Sequence, residues 1–261
     1  MAVYTDIAAE FYQKNGKSLP AGVHMTVRSS FGIPLTRVEI TRSGLLRPKG
    51  IYLTLDMPDF ARIDDKNESC VRAVASQLRS LLPAEGPVLV AGIGNRRVTA
   101  DALGPATAQR VFVTRHLCQA GHSEIALRSV CAFCPGVESE TGFCAAELLQ
   151  SAVSRFAPAA MIAVDSLCTS QAQRLGCSVQ ISNAGLFPRT AMPLTQKTLG
   201  VPVIALGVPT LMDYGRSAHP LTVIPRDIDA VIRRAAGLLS LAVNKALQPA
   251  LTVQELSLLT S

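Results

Sequence analysis

Tryptophan is absent from the 261 residues, and aromatic residues make up only 5% of them. A surface that grips nucleic acid combines clustered Lys and Arg with stacking or groove-reading elements. Here the 25 Lys and Arg exceed the 19 Asp and Glu modestly and occur as isolated short pairs. Direct nucleic-acid binding is therefore not expected. No apolar run is long enough to cross a bilayer, and no signal segment opens the chain, since MAVYTDIAAEF carries Asp6 and Glu10 within its apolar stretches. These absences predict a cytoplasmic protein with no membrane partner. Internal repeats and low-complexity linkers are also lacking. Seven cysteines, Cys70, Cys118, Cys131, Cys134, Cys144, Cys168 and Cys177, leave one unpaired in any complete disulfide scheme. Their scatter is unlike that of a disulfide-dense secreted scaffold.

What is present is a 48% apolar chain, long enough for one α/β domain over residues 1–261. Residues 1–33 are the least regular part, broken by Asn15-Gly16, Pro20, Gly22 and Gly32, and read as a removable or mobile arm. A strand pair follows at 34–44 and 51–57. A helix is expected from Asp64 or Asp65 to about Leu82, with Val71, Val74 and Leu78 on its inner face. Short apolar strands are expected at 88–91, 160–167 ending at Asp165, 178–182 and 201–210. Helices are expected from Asp101 through the following ALGPATAQRVFV, from a Thr141 cap to about Phe156, and from Pro225 onward. Residues 114–117 read as an exit toward the next strand, 122–133 as an extended segment, and 211–224 as a long loop of functional interest. The alternation predicts a three-layer α/β sandwich with a mixed or mostly parallel central sheet.

In such folds ligands gather beyond the carboxyl ends of strands, which singles out Asp101 and Asp165. Two carboxylates close in a partly dry cleft resist ionising together and can share a proton. One then activates water while the other protonates or polarises an amide. The same positions suit a helix cap for Asp101 and a strand-end hydrogen bond for Asp165. Gly92-Ile93-Gly94-Asn95 lacks the third glycine of a dinucleotide fingerprint and the Gly-Lys-Ser/Thr ending of a phosphate loop. Gly92, Gly94 and Asn95 are read instead as backbone support for a substrate carbonyl or oxyanion. Thr99 and Ser166 are placed either to orient a carboxylate or simply to cap. His116, Cys118 and His122, with Cys131-x-x-Cys134 and Cys144, form only a weak metal signature. No cofactor or metal is expected.

The chain resembles the germination protease family of spore-forming bacteria. The segments that carry the resemblance are Gly92-Ile93-Gly94-Asn95 with VTADALGP ending at Pro105, Val113-Thr114-Arg115-His116-Leu117 and Pro135-Gly136-Val137 with Thr141-Gly142. Ile162-Ala163-Val164-Asp165-Ser166-Leu167, Gln180-Ile181-Ser182 and VIALGVPT at 203–210 complete the set. The resemblance implies a fold similar to hydrogenase-maturation proteases and an atypical aspartic-type endopeptidase. Its substrates are small acid-soluble spore proteins, met in the spore core or forespore. It assigns catalysis to Asp101 and Asp165 and adds His116 to the substrate-supporting residues. It further implies a zymogen that loses residues 1 to about 10, near Thr5-Asp6-Ile7-Ala8-Ala9-Glu10, and a homo-oligomer of four chains. Gly185-Leu186-Phe187-Pro188-Arg189-Thr190 departs from the family's glycine-rich basic string, and 213–220 looks shortened. A metal-dependent peptidase using Asp101 and His116, and a catalytically silent spore-protein-binding paralogue, are the alternatives.

Overall fold

Val88, Leu89, Val90, Ala91 and Gly92 are all buried, as a strand covered on both faces must be. A computed structural model describes residues 4–12, 18–64, 66–121, 126–189, 191–214 and 221–260. In chain order the first elements are α1 (Ala8–Tyr12), β1 (Val23–Ser30), β2 (Ile33–Ile40), β3 (Gly50–Asp56), α2 (Glu68–Leu81), β4 (Val88–Gly92), α3 (Leu103–Ala108), α4 (Arg115–Ala120) and β5 (Val130–Phe133). There follow α5 (Glu138–Thr141), α6 (Ala145–Phe156), β6 (Ala160–Thr169), β7 (Ser178–Ser182), α7 (Gln196–Leu199), β8 (Val203–Tyr214), β9 (Leu221–Val223), α8 (Ile228–Leu247) and α9 (Val253–Leu259).

The strands form one sheet in the order β1-β2-β3-β7-β8-β6-β4-β5, with β9 added to the far end of β8. β8, β6, β4 and β5 run parallel, and β7, β3, β2 and β1 continue antiparallel. The expected mixed α/β sheet is thus present. Alternation along each strand splits the core in two. Val88, Val90, Ile162 and Val164 join the cluster that holds α2, α3, α8 and α9. Leu89, Ala91, Met161 and Ala163 join the cluster that holds α1, α6 and α7. Helices therefore cover both faces, and the carboxyl ends of β4, β6 and β8 emerge together at one end.

Several boundaries differ from the sequence reading, each for a local reason. Within residues 1–33, 8–12 form α1 and 23–30 form β1, an edge strand whose mostly exposed polar residues hide its period. α2 begins at Glu68 because Asn67 Oδ1 accepts from Cys70 N (3.1 Å) and caps it. The helix expected after Asp101 starts at Leu103 and stops at Ala108, and residues 115–120 coil into α4 instead of entering a strand. Thr141 does not cap the long helix. Its hydroxyl donates to Val137 O and closes the short α5, while Cys144 precedes α6. β6 continues through Asp165 to Thr169, so that aspartate lies within the strand. Among the described residues of the expected 211–224 loop, β8 runs on to Tyr214 and pairs antiparallel with β9. α8 begins at Ile228, not at Pro225.

Backbones approach closely where α3 crosses β4 and β6. A Cβ on Gly104 would overlap the carbonyl oxygens of Ile93 and Val164, and one on Gly92 would overlap the carbonyl of Gly104. Only glycine lets the helix approach this closely. Gly104→Ala is therefore expected to destabilise the fold by about 1–3 kcal/mol. The check is urea unfolding, with a lowered midpoint at unchanged slope.

Candidate active site

Asp101 owes its place to a turn that closes on itself. After β4, Ile93 N donates to Val164 O (2.8 Å), which ties the turn to β6. Gly94 adopts φ +120°, and a side chain there would collide with Asp101 O. Asp101 ends a 3₁₀ turn, Thr99–Asp101, whose Ala100 carbonyl accepts from Thr210 Oγ1 of β8 (2.7 Å). The carboxylate then reaches back to the turn and accepts from Asn95 N (2.7 Å). A helix cap at Asp101 would draw on the N–H groups of the helix that follows. The donor is instead the N–H of the preceding turn.

Asp165 sits on β6 opposite Gly207 of β8 and is 9% exposed. Its Oδ1 accepts from Ser166 N (2.8 Å). Asp101 and Asp165 line one cavity of about 230 Å³. Their environments are unequal. Burial first, then the negative charge of Asp101, push Asp165 well above the usual carboxylate range, and the Ser166 N–H offsets this only in part. Asp101 is also raised, chiefly by burial, with Asn95 N–H opposing and Glu140 adding to the rise. Burial disfavours charge on both, and the like-charge pair compounds it for Asp165.

The other residues singled out from sequence fall in different places. Ser166 lines the same cavity, and its Oγ is buried with no hydrogen-bond partner. Gly92 and Gly94 are buried at backbone crossings, and the Asn95 N–H is spent on Asp101. Thr99 and His116 are exposed and do not line the cavity. His122 and Thr190 lie outside the described residues. Among the described residues no three of His, Cys, Asp and Glu gather within reach of one metal ion, and no helix is long and apolar enough to cross a membrane.

Sequence reasoning missed much of the cavity wall. Tyr4, Asp6, Cys168, Arg189 and Asp213 all belong to it. Burial pushes the Cys168 thiol up to about 11, so at neutral pH it is a thiol and not a nucleophilic thiolate. Asp6 brings the N-terminal segment to the rim: Asp6 N donates to Cys168 O, and Cys168 N donates to Asp6 Oδ2, both at 2.8 Å. The Thr5–Glu10 motif was a signal for this segment. Asp213 had none, because it fell in a stretch that reads as loop.

Paired carboxylates in a desolvated cavity at parallel strand ends can divide acid and base work on one bond, the equipment of a hydrolase. The sequence profile of the germination protease family matches residues 3–218, and this chain belongs to that family of peptidases. It is 31% identical to the germination protease of Caldanaerobacter subterraneus subsp. tengcongensis, over 98% of each chain. It is 29% identical to that of Clostridium tetani, over 98% of this chain and 99% of the other. Identity to the Priestia megaterium protein is 33%, over 80% of this chain and 61% of the other. Among solved structures it resembles the [NiFe] hydrogenase maturation protease HycI from Thermococcus kodakarensis KOD1. That match has 17% identity and a TM-score of 0.37, over 64% of this chain and 98% of that one.

The raised position of Asp165 has a consequence for stability. The folded chain holds that proton more tightly than the unfolded chain, so Asp165 favours folding below the ordinary carboxylate range and the benefit fades as pH rises. Asp165→Asn removes this dependence. Calorimetry should find the variant melting above the wild type at pH 7, by about 2–4 °C for each kcal/mol relieved. The gap should close near pH 4, about where a free aspartate titrates. A lower melting point at pH 7 would mean that the carboxylate is a structural asset.

Proposed function

We propose that this chain is an endopeptidase that hydrolyses small acid-soluble spore proteins during germination, acting in the spore core or forespore. The observation that carries this reading is one cavity shared by two carboxylates in unequal surroundings. Asp165, the more strongly raised, serves as the protonated acid. Asp101, steadied by the Asn95 N–H, serves as the ionised base. Asp101 takes a proton from water as the water oxygen attacks the amide carbon. Asp165 gives its proton to the carbonyl oxygen. The gem-diol intermediate then collapses: the C–N bond breaks, the proton held by Asp101 passes to the departing nitrogen, and Asp165 takes back a hydroxyl proton as the carbonyl re-forms. Ser166 Oγ, buried and unpartnered at the same cavity, is available to bond the substrate or the attacking water.

The same proposal makes the N-terminal segment a pro-segment that occupies the site. Tyr4 and Asp6 line the cavity. Behind them Gln180 bonds Ala8 N (2.8 Å) and Asp6 O (2.5 Å), and Arg47 bonds Thr5 O and Asp6. Glu10 is 1% exposed and anchors the segment to Thr169 Oγ1 and to Ser170 N (2.8 Å) and Oγ (2.6 Å), with Arg174 at 3.9 Å. Ile7, Ala8 and Ala9 are wholly buried, so the segment must leave its groove before residues 1 to about 10 are cut away. The open edge of β1, with Val27 and Phe31 exposed, offers a surface for self-association, and the assembled state is a homotetramer.

Asp101→Asn and Asp165→Asn should each lower cleavage of a small spore protein by at least about 100-fold with the circular dichroism spectrum unchanged. Activity kept by both single variants removes the pair from the mechanism. Glu10→Ala should release the segment, and intact-mass analysis should then find N-terminal residues lost roughly tenfold faster than in the wild type. Adding Asp165→Asn should stop that loss. Equal rates for wild type and Glu10→Ala, or trimming that persists in the double variant, would refute self-processing held back by this anchor.

A further inference from the structure

The strand β9 leaves one edge open. Leu221, Thr222 and Val223 are all exposed, and among the described residues β9 pairs with β8 alone. Ile224, the next residue, is exposed as well. Three apolar side chains therefore stand in water over four positions, with no charge, proline or bulge among them. A strand edge in that state pairs with another chain unless something covers it. The residue types favour such pairing, since Val and Ile suit a pleated surface and Pro225 biases Ile224 toward an extended backbone.

The position of this edge points to its occupant. The sheet path ends at β1 and at β5, and β9 adds a third free edge. Of the three, β9 alone contributes a residue, Thr222, to the wall of the Asp101–Asp165 cavity. Thr222 Oγ1 donates to Asp213 Oδ1 (3.2 Å), and Arg189 Nη1 donates to Asp213 Oδ2, so the strand is held at the cavity rim. The register sets the reach. Asp165 lies opposite Gly207, and Thr169 lies opposite Met212, which in turn pairs with Val223. A chain added beyond β9 is three strand spacings from β6, about 14 Å, and four residues further along, about 13 Å. The acids are then about 20 Å away, a span of about six extended residues.

We infer that the free edge of β9 is a remote docking site for polypeptide substrates, and that it takes an extended segment about six residues from the cut bond as an added strand. This rests on the peptidase reading of the Asp101–Asp165 cavity. The backbone of the segment exchanges N–H and C=O hydrogen bonds with β9, so the site reads chain length and main chain, whatever the side chains. Docking also covers Leu221, Val223 and Ile224.

The test uses the full-length protein with Asp101→Asn, which leaves β9 untouched, and fluorescein-labelled fragments of a small acid-soluble spore protein, truncated from either end. Anisotropy should show affinity falling about tenfold once one side keeps fewer than about six residues beyond the bond that the wild type cuts. Methylating successive backbone nitrogens in that outlying stretch should weaken binding about fivefold at every second position, the period at which a strand turns its N–H groups to a neighbour. A benzophenone placed there should cross-link to residues 221–224. Leu221→Lys combined with Val223→Lys should erase the advantage of the long fragment, and the methylation scan stands in should that variant not fold. Equal affinity of long and short fragments, a scan without alternation, or cross-links that map elsewhere would overturn the assignment. So would a double variant that binds the long fragment undiminished but sediments as a smaller assembly, because the edge then joins two copies of the chain. Alternation with cross-links at β9 upholds the docking site even where the wild type cuts nothing. Cleavage indifferent to substrate length removes the docking site and leaves the peptidase reading standing.

Discussion

The close approach of α3 to the ends of β4 and β6 is the constraint on which the site depends. Gly92 and Gly104 meet without side chains between them, and the Ile93 and Ala100 backbones are tied to β6 and β8. With those links in place Asp101 has little freedom, and its carboxylate stands at the cavity that Asp165 enters from the sheet. Burial energy from two apolar layers holds this arrangement against the cost of bringing two acids together. Burial raises both carboxyl groups, and the charge of Asp101 adds to the rise of Asp165.

The change of strand direction at β7 and β8 explains the rest of the cavity. β4, β6 and β8 point their carboxyl ends toward the site, whereas β7 runs the other way and presents Gln180 to the N-terminal segment. β8 is long enough to pass the site and fold back through β9, which brings in Asp213 and Thr222. The parallel strands thus supply the floor with its acids. β8 and its antiparallel partner β9 supply part of the wall through Asp213 and Thr222.

Asp165 stands out because it breaks the apolar run of β6, and Asp101 because it follows the Gly92–Asn95 turn after β4 at the apparent start of a helix. The glycines of the 92–94 turn were equally visible, but the sequence does not say which backbone they must clear. β1 escaped notice since an edge strand need not alternate, and β6 was cut short because an aspartate inside a buried strand is costly enough to look like an end. Thr141 looked like a cap through its residue type, whereas capping depends on where the next turn's N–H groups point. Asp213 and Arg189 come together only through the β8–β9 hairpin and the 185–189 segment, contacts distant in sequence that no local pattern announces.

Residues 4–12 are seated in a groove of the same molecule, where Tyr4 and Asp6 line the cavity. A covalent tether of this kind keeps a blocking group at an effective concentration in the millimolar range. Dilution cannot relieve it, and neither can titration by a competing protein at ordinary cellular abundance. On the pro-segment reading, every copy carries its own stopper in one-to-one stoichiometry, and opening the site is a decision made by each molecule alone.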